Sequence, residues 1–319
     1  MGQRTLAAGA ALVLMAAATA ASAHGIAGKR VFPTTLTIDD PAVSDEASLP
    51  TVIHVRHGAT NDAPANRETD INGEFDKRIT EHFGTAINYG YTTIDRVGQS
   101  SANGFSNLNT TLKYEFLQNA PHEILMSAGV IRAWGGTGAQ QVGASTTGST
   151  TPTLYFGKGL GDLPDGLNWL KPLAITGTFG YQFADVRTQS TTVTDPDTGI
   201  AGLMFAKNPN QLVMGLSVQY SLSYLQANIR DIGLPDFFRR LTPLVEFAYT
   251  TPATAGSGQN TIGTIAPGFI YSANSYQIGV EALIPATRAS GTNVGLIVQA
   301  HFFFDDIFPK SLGRPLFGD

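Results

Sequence analysis

The sequence contains no cysteine. That absence excludes a disulfide framework, a thiolate metal site and a cysteine nucleophile together. Charge is scarce as well, since Asp, Glu, Lys and Arg make up 14% of the 319 residues, well below the roughly 25% usual for soluble domains. Beyond residue 23 no apolar run reaches the roughly 18 residues that mark a membrane-spanning helix. The net charge of −5 provides no basic footprint for nucleic acid. What the chain has in quantity is glycine, 35 residues of it, and apolar residues that are dispersed rather than clustered.

The dispersal has a period. From Gln211 to Leu225, Leu212, Met214, Leu216, Val218, Tyr220, Leu222 and Tyr224 take one parity, while Gln211, Gly215, Ser217, Gln219, Ser221 and Ser223 take the other. Side chains of a strand point to opposite faces with period two, so this stretch has one oily face and one small, polar face. A soluble sandwich shows the same period, but in strands of roughly 5–6 residues. A strand that crosses a bilayer needs roughly 9–11 tilted residues, oily toward lipid and polar toward the lumen. The run therefore predicts one stave of a membrane barrel.

The first 23 residues have the parts of a secretory signal: Arg4, an Ala/Leu/Val core, and Ala21-Ser22-Ala23 as a cleavage site. The mature chain is expected to begin at His24, whose amine and ring could together chelate a metal; a lone histidine is more often just a terminus, so no metal and no cofactor are expected. Residues 24–48 read as an irregular periplasmic leader at the barrel mouth, 49–304 as the barrel and 305–319 as a periplasmic tail lying outside it. The fold expected is all-β, a transmembrane up-and-down antiparallel barrel of roughly twelve strands in the bacterial outer membrane.

Candidate strands are Thr51–His57, Thr69–Ile79, Phe83–Thr93, Asn107–Leu117, Glu123–Trp134, Thr151–Gly157, Leu173–Phe183, the run from Gln211, Leu241–Thr250, Thr261–Tyr271, Ser275–Ile284 and Asn293–Phe304. Pro243 and Pro267 cannot donate to a ladder and are expected at bulges or strand ends. Connections alternate between short ones such as Thr80–His82 and long Gly/Ser/Thr/Asn-rich ones such as Gly135–Thr150, as membrane barrels require. Leu163-Pro164-Asp165 and Leu234-Pro235-Asp236 predict short helices in two of the longer connections on the short-turn side. Tyr, Trp and Phe near strand ends form two belts, one of them including Tyr220 and Tyr224.

The inward parity collects the candidate lumen-lining residues: Asp70, Glu74, Asp76, Arg78, Lys113, Glu115, Glu123, Glu246, Gln277, Glu281, Gln299 and His301. Charges of both signs in a narrow lumen either pair and plug it or line a wet path that selects solutes. Neither histidine nor serine falls in a legible catalytic pattern, and His54 and His57, three apart on a strand, face opposite sides. An enzyme is not expected. Gly157-Lys158-Gly159 lacks the context of a phosphate loop.

Several segments carry a resemblance: Trp134-Gly135-Gly136-Thr137-Gly138, Pro152-Thr153-Leu154-Tyr155-Phe156-Gly157-Lys158-Gly159, Gly161-Asp162-Leu163-Pro164, Pro172-Leu173-Ala174-Ile175-Thr176-Gly177 and Phe304-Asp305-Asp306-Ile307-Phe308-Pro309. With them the chain resembles Gram-negative outer-membrane transporters similar to the meta-pathway phenol-degradation family. The resemblance implies a channel or transporter for small solutes, with hydrophobic or aromatic compounds as the weaker extension, and it transfers no catalytic residue. Two readings stand beside it: a structural or binding barrel with a blocked lumen, and a lipid-modifying enzyme. Expected partners are outer-membrane lipid, the barrel assembly machinery that reads the closing strand, and a small-molecule solute.

Overall fold

Each of the twelve alternating stretches forms a strand, and the last strand pairs with the first, closing the sheet. The computed structural model describes residues 25–59, 64–194, 201–254 and 258–318. The signal segment 1–23 and His24 lie outside the described residues. The strands are β1 Glu46–His57, β2 Asn66–Thr80, β3 Phe83–Arg96, β4 Leu108–Asn119, β5 Ile124–Trp134, β6 Ser149–Gly159, β7 Leu173–Ala184, β8 Gln211–Tyr220, β9 Leu241–Pro252, β10 Ile262–Ser272, β11 Tyr276–Pro285 and β12 Gly295–Phe303. All neighbours are antiparallel and consecutive, which is the up-and-down order. No helix among the described residues is long and apolar enough to cross a membrane.

The two parities separate as expected. Val298 and Val52 are Cα partners, as are Val52 and Ile71, and Ile71 and Tyr91, so an apolar row runs across four strands on the outside. Ile71, Ile87, Leu112, Val130 and Phe179 of that outer surface are exposed. A closed sheet with an exposed apolar exterior and a polar interior fits a bilayer, because its backbone groups pair from strand to strand and no edge remains. Inside, Thr176, Ser217, Glu246 and Glu281 are buried almost completely.

The prolines sit where a missing donor is tolerated. Pro243 is the third residue of β9, and Pro267 pairs with Val245 on its β9 side. On the β11 side the ladder skips from Ile265–Ile284 to Gly268–Glu281, so Pro267 aims its donor-less nitrogen at a local gap. Short helices form at Asp165–Leu170 and Asp236–Arg239, following the two Leu-Pro-Asp steps.

Four expectations change. Strand β8 ends at Tyr220, not Leu225, because the Ser221 hydroxyl accepts from Tyr224 N and caps a turn of helix, Leu222–Tyr224, followed by a π-helical turn at Leu225–Ile229. Tyr224 therefore leaves the outer belt and is buried. Within the long connection from Thr188 to Asn210, Thr188–Thr194 and Ala201–Lys207 pair as a hairpin. The tail, expected outside the barrel, is also bonded to it: after Phe304–Ile307 it runs back across the short-turn end, where Leu316 N and Phe317 N donate to the carbonyls of Arg78 and Ile79. The largest change concerns residues 33–45, which go past the barrel mouth and into the lumen, where Thr35, Ile38 and every residue from Asp40 to Asp45 are buried.

Candidate functional site

The internal segment 33–45 is fixed at both ends. At its entrance a small hairpin, Gly25–Ala27 with Arg30–Phe32, lies against the short-turn rim. Arg30 is fully buried; its Nε donates to Glu123 Oε2 at 3.1 Å and its Nη1 to the Pro172 carbonyl at 2.9 Å. Glu123 sits in the left-handed region, φ 49°, just before β5, so its side chain turns inward from the rim and also accepts from the Tyr224 hydroxyl at 2.8 Å. Burial, then the bond to Glu123, pushes the Tyr224 phenol up to about 12. At the far end Asp45 accepts from Lys77 Nζ at 2.6 Å and from Arg78 Nε and Arg78 N at 2.8 Å each. Paired, hydrogen-bonded charges such as these are tolerated in a desolvated place where isolated ones are not.

Between the ends, the inward residues of the wall hold the segment. Lys113 donates to Asp39 Oδ1 at 2.9 Å and to the Asp40 carbonyl at 3.1 Å. Glu246 Oε2 accepts from Leu36 N and Thr37 N, and Glu281 Oε2 accepts from Thr37 Oγ1 at 2.8 Å. Ser127 donates to the Pro41 carbonyl. Wall glycines provide the room: a Cβ at Gly84, Gly157, Gly215 or Gly279 would run into Val43, Pro41, Ile38 or Leu36 respectively. These four glycines all take the inward parity, a sequence signal that something packs against the wall from inside.

The twelve candidate residues thus divide by what they meet. Arg78, Lys113, Glu123, Glu246 and Glu281 clasp the segment or its anchors. Asp76 lines a crevice beside Ala42, Val43 and Ser44, and Glu115 pairs with His82 at 3.6 Å near the rim. His301, buried, bonds Ser48 Oγ at 2.8 Å through Nδ1 and Glu46 Oε2 at 3.1 Å through Nε2, and lies 3.4 Å from Thr34 Oγ1. That Ser-His-Glu row was not legible in the sequence, where no Ser/His arrangement stood out. Here it fixes the imidazole against the segment. Asp70, Glu74, Gln277 and Gln299 face open space.

That space is in two chambers. The one toward the long loops has a volume of about 570 Å³, floored by Thr34 to Asp39 and walled by Thr51, Asp70, Asn72, Glu74, Asn88, Asn109 and Gln299. The other, at the short-turn end, has about 580 Å³ and is lined by Pro33, Ser221, Arg239, Arg240, Thr242 and Gln277 among others. The Gln277 side-chain oxygen there is buried without a partner. On the β11–β12 side the chambers are divided where Thr34 meets His301 and Leu36 lies on Gly279.

Among solved structures, the COG4313 outer membrane channel from Pseudomonas putida F1 matches with a TM-score of 0.55 at 10% identity, over 86% of this chain and 99% of that one. The fold is that of an outer-membrane barrel. The KdgM porin is similar over 81% of this chain and 99% of its own at 11% identity and a TM-score of 0.45, and the NanC porin over 80% and 98% at 10% and 0.44. No family model matches the sequence, and neither does any curated protein. The likeness to outer-membrane barrels therefore stands at the level of the fold, and among the described residues no group of three or more His, Asp and Glu is placed to hold a metal ion.

Proposed function

We propose that the protein is an outer-membrane channel that lets small solutes pass through a narrow polar lumen, and that it has no catalytic role. The observation that carries this reading is the pair of chambers of about 570 and 580 Å³ on the two sides of the internal segment, parted on the β11–β12 side by the single layer Thr34–His301 and Leu36–Gly279. A barrel of twelve strands lies between those whose side chains fill the interior and those that leave an open channel, and the segment narrows it further. The twelve candidate residues act as its lumen: those that clasp the segment set the width of the passage, and those that face the chambers meet the solute.

In this reading the signal at 1–23 exports the chain, the short-turn end and both termini face the periplasm, the tail 305–319 covers part of that mouth, and assembly machinery recognises β12. The resemblance to transporters similar to the meta-pathway phenol-degradation family supports the channel class. Its aromatic solutes find no ring to stack on in the loop-side chamber, whose described lining sets the aliphatic Leu36, Ile38, Ile53 and Val142 beside hydroxyls, amides and carboxylates.

A second reading, a barrel with a blocked lumen that acts through its loops, is favoured by the many bonds that cross from the wall to residues 34–45. Liposome swelling separates them. Entry of a neutral monosaccharide at a rate that depends on protein supports the channel; no entry of any solute with folded protein supports the blocked barrel.

A further inference from the structure

The described lining of the loop-side chamber has a charge of one sign. Among the described residues, Asp39, Asp70 and Glu74 are its ionisable groups, and no lysine, arginine or histidine side chain contributes to it. Asp39 is already answered by Lys113 at 2.9 Å. Asp70 and Glu74 are bonded by neutral donors, the Thr92 hydroxyl and the Asn88 amide, which orient a carboxylate without cancelling its charge. The cations of the interior are spent elsewhere: Arg78 on Asp45 and Arg30 on Glu123, both beyond the segment from this chamber.

We infer that the channel admits neutral hydrogen-bonding solutes and cations and turns anions away at this chamber. The inference rests on the channel reading and specifies its solute class. Carboxylates in a confined chamber with low-dielectric walls focus their field, which raises the local concentration of cations and opposes the entry of anions. The remaining polar wall, with Asn72, Asn109, Thr51 and Gln299, offers both donors and acceptors, so a polyhydroxylated solute can exchange its water for side chains as it enters. Beyond the neck, the unpartnered Gln277 oxygen offers a further acceptor along the same wall.

The test is the reversal potential of the full-length protein in planar bilayers under a KCl gradient, with the Asp70→Asn/Glu74→Gln double variant alongside. The parent is expected to pass K⁺ in preference to Cl⁻, and the double variant to lose most of that preference. Because removing buried-side carboxylates can disturb folding, Asn72→Asp serves as an opposite probe and should strengthen the preference for K⁺. Preference for Cl⁻ in the parent, or a preference that neither variant moves, overturns the inference and leaves the channel standing. Absence of any conductance from folded protein overturns the channel reading and the inference with it.

Discussion

The guanidinium carbon of Arg30 lies 3.9 Å from the centroid of the Tyr224 ring, and both side chains end on the same Glu123 carboxylate. A leader residue, a residue of the β4–β5 turn and a residue of the β8–β9 connection thus meet at one desolvated point. That point is where the internal segment is tied to the barrel.

Breaking the tie on one side leaves a buried charge alone, which typically costs about 3–5 kcal/mol. Arg30→Ala is therefore expected to lower the urea midpoint of the folded, detergent-solubilised barrel and to speed tryptic cleavage after Lys29, which is exposed at the hairpin turn and is held there by the buried Arg30. An Arg30→Ala protein as resistant as the parent in both assays would show that the segment is held without this anchor.

The lipid-facing parity predicts a dependence on depth. Val298 lies in the apolar row with Val52 and Val280, whereas Leu296, one outward position further toward the loops, has His54 as its partner. An arginine near the bilayer midplane costs about 2–4 kcal/mol and near an interface about 0–1. Val298→Arg is expected to reduce the heat-modifiable, folded species in outer-membrane fractions far more than Leu296→Arg. Equal yields of the two variants would place this row elsewhere in the membrane.

The strands were legible because a barrel writes its two environments, lipid and lumen, as a strict period of two over ten or more residues. The course of residues 33–45 was not, because a segment without regular structure has no period, and its buried Asp40 and Asp45 look like surface acids until their partners are known. The inward glycines Gly84, Gly157, Gly215 and Gly279 were the trace it left in the sequence. Of the candidate site, the inward parity identified the right wall but not the partition between residues that clasp the segment and residues that face open space. The Ser221 cap that ends β8 is a local competition between a side-chain hydroxyl and the ladder, which alternation cannot show.

Leu36 should be a determinant of width. Its side chain lies on Gly279 of β11, and truncation to alanine removes atoms from the layer that parts the two chambers. Single-channel conductance of Leu36→Ala is expected to exceed that of the parent in the same salt. A conductance unchanged within error would mean that the passage runs elsewhere around the segment.

At the short-turn end, burial raises the Asp305 carboxyl to about 7 in spite of the nearby Arg78 guanidinium. The unfolded value is about 3.9, so between these limits the folded protein holds a proton that the unfolded chain releases. Stability from this group is present below about pH 4 and is lost as the pH rises to about 7. Asp305→Asn, neutral at every pH, should be more stable than the parent at pH 8, with the difference shrinking on acidification. A gap between the two urea midpoints that does not vary with pH would contradict that assignment.

Passage beside a fixed internal segment is read out by the swelling of liposomes that contain the folded protein. A neutral monosaccharide is expected to enter at a rate proportional to the protein incorporated and faster than a sugar acid of the same size. Liposomes carrying heat-modifiable, folded barrel that swell no faster than empty ones, for every solute, would contradict that expectation.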